Sequence, residues 1–120
     1  KHERDFTYID DIVEGVVRAL DRPPQADPSA PMTQATSTAP FRIYNIGNNR
    51  PVELLDMIAI LERTLGLKAR TRMLPMQPGD VHTTFANVDA LMHDVGFSPA
   101  TSIEEGLARF VSWYRGYEQC

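Results

Sequence analysis

Apolar residues change their period several times along this chain, and each change predicts an element. Phe6-Thr7-Tyr8-Ile9 is a run of β-formers and predicts a first strand. Asp10-Asp11 follows, where a carboxylate can cap a helix N-terminus and complement its dipole. Ile12, Val13, Val16, Val17 and Leu20 then recur at helical spacing, and Pro23-Pro24 stops the helix. Phe41 to Ile46 alternates and predicts a second strand, broken by Gly47-Asn48-Asn49. After Pro51, the residues Leu54, Leu55, Ile58, Leu61 and Leu65 trace one face of a helix ending at Gly66. Lys68 to Leu74 is a weaker strand candidate, and Met76 to Val81 reads as a loop through its Pro-Gly content. Asn87 is placed to cap a short helix through His93, stopped near Gly96. Thr101-Ser102-Ile103-Glu104 has the form of a capping box. It opens a last helix with a buried stripe of Ile103, Leu107, Phe110, Val111 and Tyr114.

Between the first helix and the second strand, residues 22–40 hold five of the nine prolines, interspersed with Ser, Thr, Gln and Ala. Proline withholds ladder donors and the small polar residues bury little, so a mobile surface loop is expected there. The expected class is α/β, with few strands and about four helices in one unit over 1–120. Strands separated by helices imply parallel pairing, and a parallel sheet needs cover on both faces. Two well-marked strands are too few for that, so the sheet reads as incomplete and the chain as part of a larger domain.

Composition narrows the chemistry. With 42% hydrophobic and 23% charged residues the chain is globular rather than disordered. The net charge of −4, without a basic stripe, speaks against nucleic acid as partner. No apolar run is long enough to span a bilayer, and the polar opening Lys1–Asp5 predicts no secretory leader. A soluble, cytoplasmic protein is the expectation. One cysteine, Cys120, makes neither a disulfide framework nor a thiolate cage, and His2, His82 and His93 lack metal-site spacing. The glycines stand at 15, 47, 66, 79, 96, 106 and 116, never closer than ten residues. That spacing cannot build a phosphate-cradling glycine loop. No catalytic residue, cofactor site or metal site is therefore assigned.

Several segments, taken together and in order, resemble the extended short-chain dehydrogenase/reductases. Arg4-Asp5-Phe6-Thr7-Tyr8-Ile9-Asp10-Asp11 looks like that superfamily's Arg-Asp-Phe/Tyr-x-Tyr/His-Val/Ile-x-Asp segment, and Tyr44-Asn45-Ile46-Gly47-Asn48 like its following strand and turn. Met76-Gln77-Pro78-Gly79-Asp80-Val81 matches a loop that many members write as Arg-x-Gly-Asp. Gly106-Leu107 through Trp113-Tyr114 is similar to the closing helix. The Ser-Thr-Ala-Pro before Phe41 and the Met-Gln-Pro-Gly-Asp-Val form look most like bacterial UDP-glucuronate 4-epimerases.

Members are roughly three times this length, and the resemblance implies the C-terminal, substrate-binding portion. The Rossmann sheet, the glycine-rich NAD turn and the Tyr-x-x-x-Lys pair of the other portion have no counterpart here; Lys1 and Lys68 have no Tyr four residues before them. The implied parent is an NAD-dependent 4-epimerase acting on a UDP-sugar. The fragment by itself is expected to be inactive and to hold no NAD. Its expected partners are the UDP-sugar, the missing N-terminal Rossmann portion and further copies of itself.

By the same resemblance Arg4 would contact the diphosphate, which a guanidinium can grip bidentately; the plain alternative is a solvated arginine or a partner for Asp5. Asp80 would accept from ribose hydroxyls, the alternative being a turn cap. Gln77 stands where many members carry a phosphate-binding arginine, and its amide donates a hydrogen bond without positive charge. His82 follows the loop and could line the pocket. Two other readings stay open: a nucleotide-sugar 4,6-dehydratase or reductase fragment, and a non-catalytic binding or assembly module.

Overall fold

The first strand forms one turn earlier than β-propensity suggests. In a computed structural model describing residues 2–118, β1 is Glu3–Arg4. It is followed by α1 (Ile9–Asp21), β2 (Val52–Glu53), α2 (Leu54–Leu65), β3 (Thr83–Thr84), α3 (Asp89–Val95) and α4 (Ile103–Glu118). β1 is the central strand. It runs antiparallel to β2, with Arg4 opposite Val52, and parallel to β3, with Arg4 opposite Thr84. The result is a small α/β piece of four helices on a three-stranded mixed sheet.

Three strand expectations are corrected. Phe6–Tyr8 leads into α1 as a loop, because side chains take up its backbone groups. The Asn48 amide donates to the Phe6 carbonyl at 3.4 Å, and the Thr7 hydroxyl donates to the Asp5 carbonyl at 3.4 Å. Phe41–Ile46 forms no ladder beyond an isolated antiparallel bridge between Thr36 and Arg42. A strand needs a neighbour, and none lies beside Tyr44–Ile46 among the described residues. Lys68–Leu74 is exposed and irregular for the same reason.

Helix positions follow the apolar spacing more closely than helix caps do. Gly66 and Gly96 end α2 and α3 at φ of 71° and 70°, and the Asn87 side chain accepts the Asp89 N–H at 2.9 Å. Asp10 and Asp11 cap nothing; both lie inside the first turn of α1. Asp11 is buried and binds across the molecule, accepting the Thr101 N–H and the Thr101 hydroxyl, each at 3.0 Å. With Thr101 so engaged, Ser102 caps α4 by accepting the Glu105 N–H at 3.2 Å, one residue later than predicted. The apolar stripes also move. In α4 Val111 is buried while Phe110 and Tyr114 are exposed, and in α1 the valines face solvent.

What packs is modest. Leu91, Val95 and Phe97 form a buried cluster flanked by Ala19, Tyr44 and Ile46. α2 and α4 pack side by side, with Ile60 and Val111 buried. Polar brackets join these centres, and the largest is Asp5. Its carboxylate accepts backbone N–H groups from Asn48 (3.1 Å), Asn49 (3.0 Å), Ala86 (3.1 Å) and Arg50 (3.4 Å). Gly47 makes room for it, since a Cβ there would lie 2.6 Å from Asp5 Oδ2 and 2.7 Å from Ala86 Cβ.

Removing the bracket is expected to cost more than any exposed ion pair here. Asp5→Ala leaves two part-buried N–H groups, those of Asn48 and Ala86, without their acceptor, a loss of about 2–4 kcal/mol in urea unfolding. Gly47→Ala, which crowds the same carboxylate, should cost about 1–3 kcal/mol. Unchanged unfolding midpoints in both variants would remove Asp5 from its structural role.

Candidate functional site

The register of β1 and β3 brings residues from opposite ends of the chain to one place. Arg4 sits on the central strand with its side chain 30% exposed. Its Nη1 donates to the carbonyls of Glu3 (2.8 Å) and His82 (3.3 Å), which fixes the guanidinium, and its Nη2 donates to Asp80 Oδ1 at 2.8 Å. Asp80 Oδ1 also accepts the Val81 N–H at 2.8 Å, and Oδ2 lies 3.8 Å from His2 Nδ1. The His2 and His82 rings stack with centroids 5.8 Å apart. Asp5 is therefore not the partner of Arg4, being spent on backbone donors; the partner is Asp80, 76 residues away.

Beside this pair lies an open cleft of about 410 Å³, lined by Arg4, Asp5, Thr7, Asn45, Thr84 and Phe85 among others, with the Asp5 carboxylate already taken up by backbone N–H groups. The cleft carries one guanidinium, hydroxyl and amide groups and an exposed aromatic ring. Those groups suit a polar, anionic ligand with a planar part. Asp80 touches the cleft only through Arg4, and Gln77 is not on its wall. Gln77 is exposed in the preceding turn, where its carbonyl accepts the Asp80 N–H at 3.2 Å. An anion approaching Arg4 meets a cation already neutralised by Asp80, so binding has to exchange one carboxylate for another acceptor.

The described residues form no glycine-rich turn of the kind that cradles a dinucleotide. The glycines at positive φ (66, 79 and 96) sit in separate turns. Each of the four helices also carries a carboxylate in its first turn, which repels a phosphate from its N–H groups. No step of chemistry through NAD is assigned to this chain's own side chains.

No family model matches the chain. Its fold is that of about a third of a nucleotide-sugar epimerase. It superposes on UDP-glucuronic acid 4-epimerase from Bacillus cereus, solved with UDP-4-deoxy-4-fluoro-glucuronic acid and NAD. The TM-score is 0.71 at 27% identity, over 94% of this chain and 32% of that one. Sequence relatives narrow the class. The probable UDP-glucuronate 4-epimerase of Rhizobium meliloti is 49% identical over 115 residues, 92% of this chain and 34% of that protein. A 37.6 kDa protein of Escherichia coli O111:H- is 50% identical over 120 residues, 98% of this chain and 36% of that protein. The chain is thus homologous to a segment of the UDP-glucuronate 4-epimerases within the NAD-dependent epimerase family, and spans about a third of the length of the curated relatives it matches. No helix among the described residues is long and apolar enough to cross a membrane.

A second polar cluster, which sequence reasoning missed, lies at the other end of α3. Asp94 accepts from the Tyr44 hydroxyl at 2.9 Å, pairs with Arg42 Nε at 3.2 Å and meets His93 Nδ1 at 2.8 Å. The Arg42 guanidinium lies over the Tyr44 ring, 5.7 Å from its centroid. At i and i+2, Arg42 and Tyr44 fall on the same face of the extended Phe41–Ile46 segment, so both reach one carboxylate. The His93 contact, then the Tyr44 hydroxyl and the Arg42 charge, hold the Asp94 carboxyl below the usual carboxylate range against the opposing effect of burial. Burial first, and then Asp94, pushes the Tyr44 hydroxyl above its usual value.

A carboxyl held low in the folded state stabilises fully above its unfolded value, and that contribution disappears as pH falls through the folded one. Asp94→Asn is therefore expected to lower Tm at pH 7 by about 3–5 °C, for about 1 kcal/mol with Asp94 a quarter exposed. The gap from wild type should narrow as pH falls from about 4 to about 2. A gap that stays constant between those pH values would sink the assignment.

Proposed function

We propose that this chain is the UDP-sugar-binding part of an NAD-dependent UDP-glucuronate 4-epimerase, inactive alone and completed by an N-terminal Rossmann portion that holds NAD. The observation that carries the reading is the ion pair that Arg4, on the wall of the polar cleft, makes with Asp80. The relatives named as UDP-glucuronate 4-epimerases support the choice of sugar. In this reading Arg4 leaves Asp80 to grip the diphosphate, and the freed Asp80 carboxylate accepts from the ribose hydroxyls. Gln77, uncharged and in the adjoining turn, adds at most one hydrogen bond to the same anion. Anchoring the nucleotide leaves the sugar ring free to turn while its 4-position is oxidised and reduced again, which is what epimerisation at one carbon demands. A cytoplasmic, homo-oligomeric enzyme is part of the same proposal.

The test replaces the matching segment of the Rhizobium meliloti relative by this chain and assays conversion of UDP-glucuronate to UDP-galacturonate. The joined protein should be active and the 120-residue chain alone inactive. Arg4→Ala in the joined protein should raise KM about 10- to 100-fold, the loss of a charge-assisted contact. An Arg4→Ala enzyme with unchanged KM and unchanged UDP affinity in calorimetric titration would refute the anchor.

A further inference from the structure

Helix α1 turns its large apolar side outward. Its inward side is made of small or polar residues. Asp11 and Gly15 are buried there, and a Cβ on Gly15 would clash with Ile46 Cδ1 and crowd the Phe97 ring at 3.3 Å. At 100° per residue, Ile9, Val13, Val16, Val17 and Leu20 all fall within about 100° of arc on roughly the opposite side. They are 48–77% exposed. A helix at a surface keeps its larger apolar side inward. Here the larger side, with three β-branched valines, meets solvent.

The rest of the molecule agrees that a layer is absent. The accessible surface is 8925 Å² for 13.5 kDa, against about 6,500 Å² for a folded monomer of that mass. The radius of gyration is 18.2 Å, against about 14 Å for a compact domain of this length. Directly beneath α1, Ile46 ends the alternating segment that has no strand partner among the described residues. Helix and segment together resemble one side of a βα layer left uncovered.

We infer that the Ile9–Val13–Val16–Val17–Leu20 face of α1 is the seam on which the remaining two thirds of the epimerase chain packs. This rests on the reading of the chain as part of an epimerase. The occupant follows from length: the relatives carry this segment, at 49–50% identity, inside chains about three times as long. Polypeptide joined covalently to the segment reaches the face at a far higher effective concentration than a second free copy.

The experiment compares Val13→Glu/Val17→Glu in two settings, the 120-residue chain alone and the joined protein described above. In the free chain both side chains are already half exposed, so the melting temperature should stay within about 2 °C of wild type. In the joined protein the two carboxylates would be buried without partners, and Tm should fall by about 8 °C or more. Leu67→Glu, on a residue 66% exposed and outside α1, serves as control and should leave both proteins unchanged. Equal tolerance in both settings would overturn the seam, since the face would then stay in water. An equal drop in both would also overturn it, since the cover would then come from within the chain or from a second copy. A joined protein that shows the selective drop but binds no UDP would keep the seam and reject the nucleotide anchor.

Discussion

The Asp5 carboxylate accepts N–H groups from the turn after Gly47 and from Ala86, and the placement of everything around the cleft depends on it. β1 and β3 are only two residues each, too short to hold a register by ladder bonds alone. A carboxylate with several backbone donors is a stronger constraint, because the part-buried N–H groups of Asn48 and Ala86 would both lose their acceptor if it moved. It holds the Gly47 turn against the strand that carries Arg4 and holds residue 86 just beyond β3. Arg4 and Asp80 come together because that bracket sets where their two segments run.

Asp11 does for the helices what Asp5 does for the sheet. Its two oxygens hold Thr101, so α1 and the start of α4 are tied by a buried polar pair rather than by an apolar seam. Asn48 belongs to both systems, donating to the Phe6 and Thr101 carbonyls at 3.4 Å. The fold is thus stitched by carboxylates and an amide to backbone, with apolar clusters of only a few residues between the stitches. Such an arrangement suits a piece whose larger apolar surfaces belong to contacts outside the 120 residues, and α1 shows where one of them lies.

The Arg4–Asp80 pair gives the proposed nucleotide site a resting state. Exposed ion pairs contribute little to stability, so the exchange of Asp80 for a diphosphate costs little, and a diphosphate offers the guanidinium more charge than one carboxylate does.

The sequence by itself determined what is local and periodic: the four helices to within a few residues, the Gly66 and Gly96 stops, the loop at 76–81, the absence of a glycine cradle and the family resemblance. Each depends on neighbours a few residues apart. Tertiary structure alone decided the strands, because a strand exists only where a partner lies beside it; the strongest β-pattern, Phe41–Ile46, made one isolated bridge and no ladder, while the charged Glu3–Arg4 became central. It also decided the carboxylates. Asp5, Asp11 and Asp94 look alike in sequence to Asp10, which remains exposed, and only the donors brought from 40 to 90 residues away separate a bracket from a solvated charge. The side to which the α1 valines face was likewise beyond the periodic pattern, which shows that a helix has an apolar side but not which neighbour covers it.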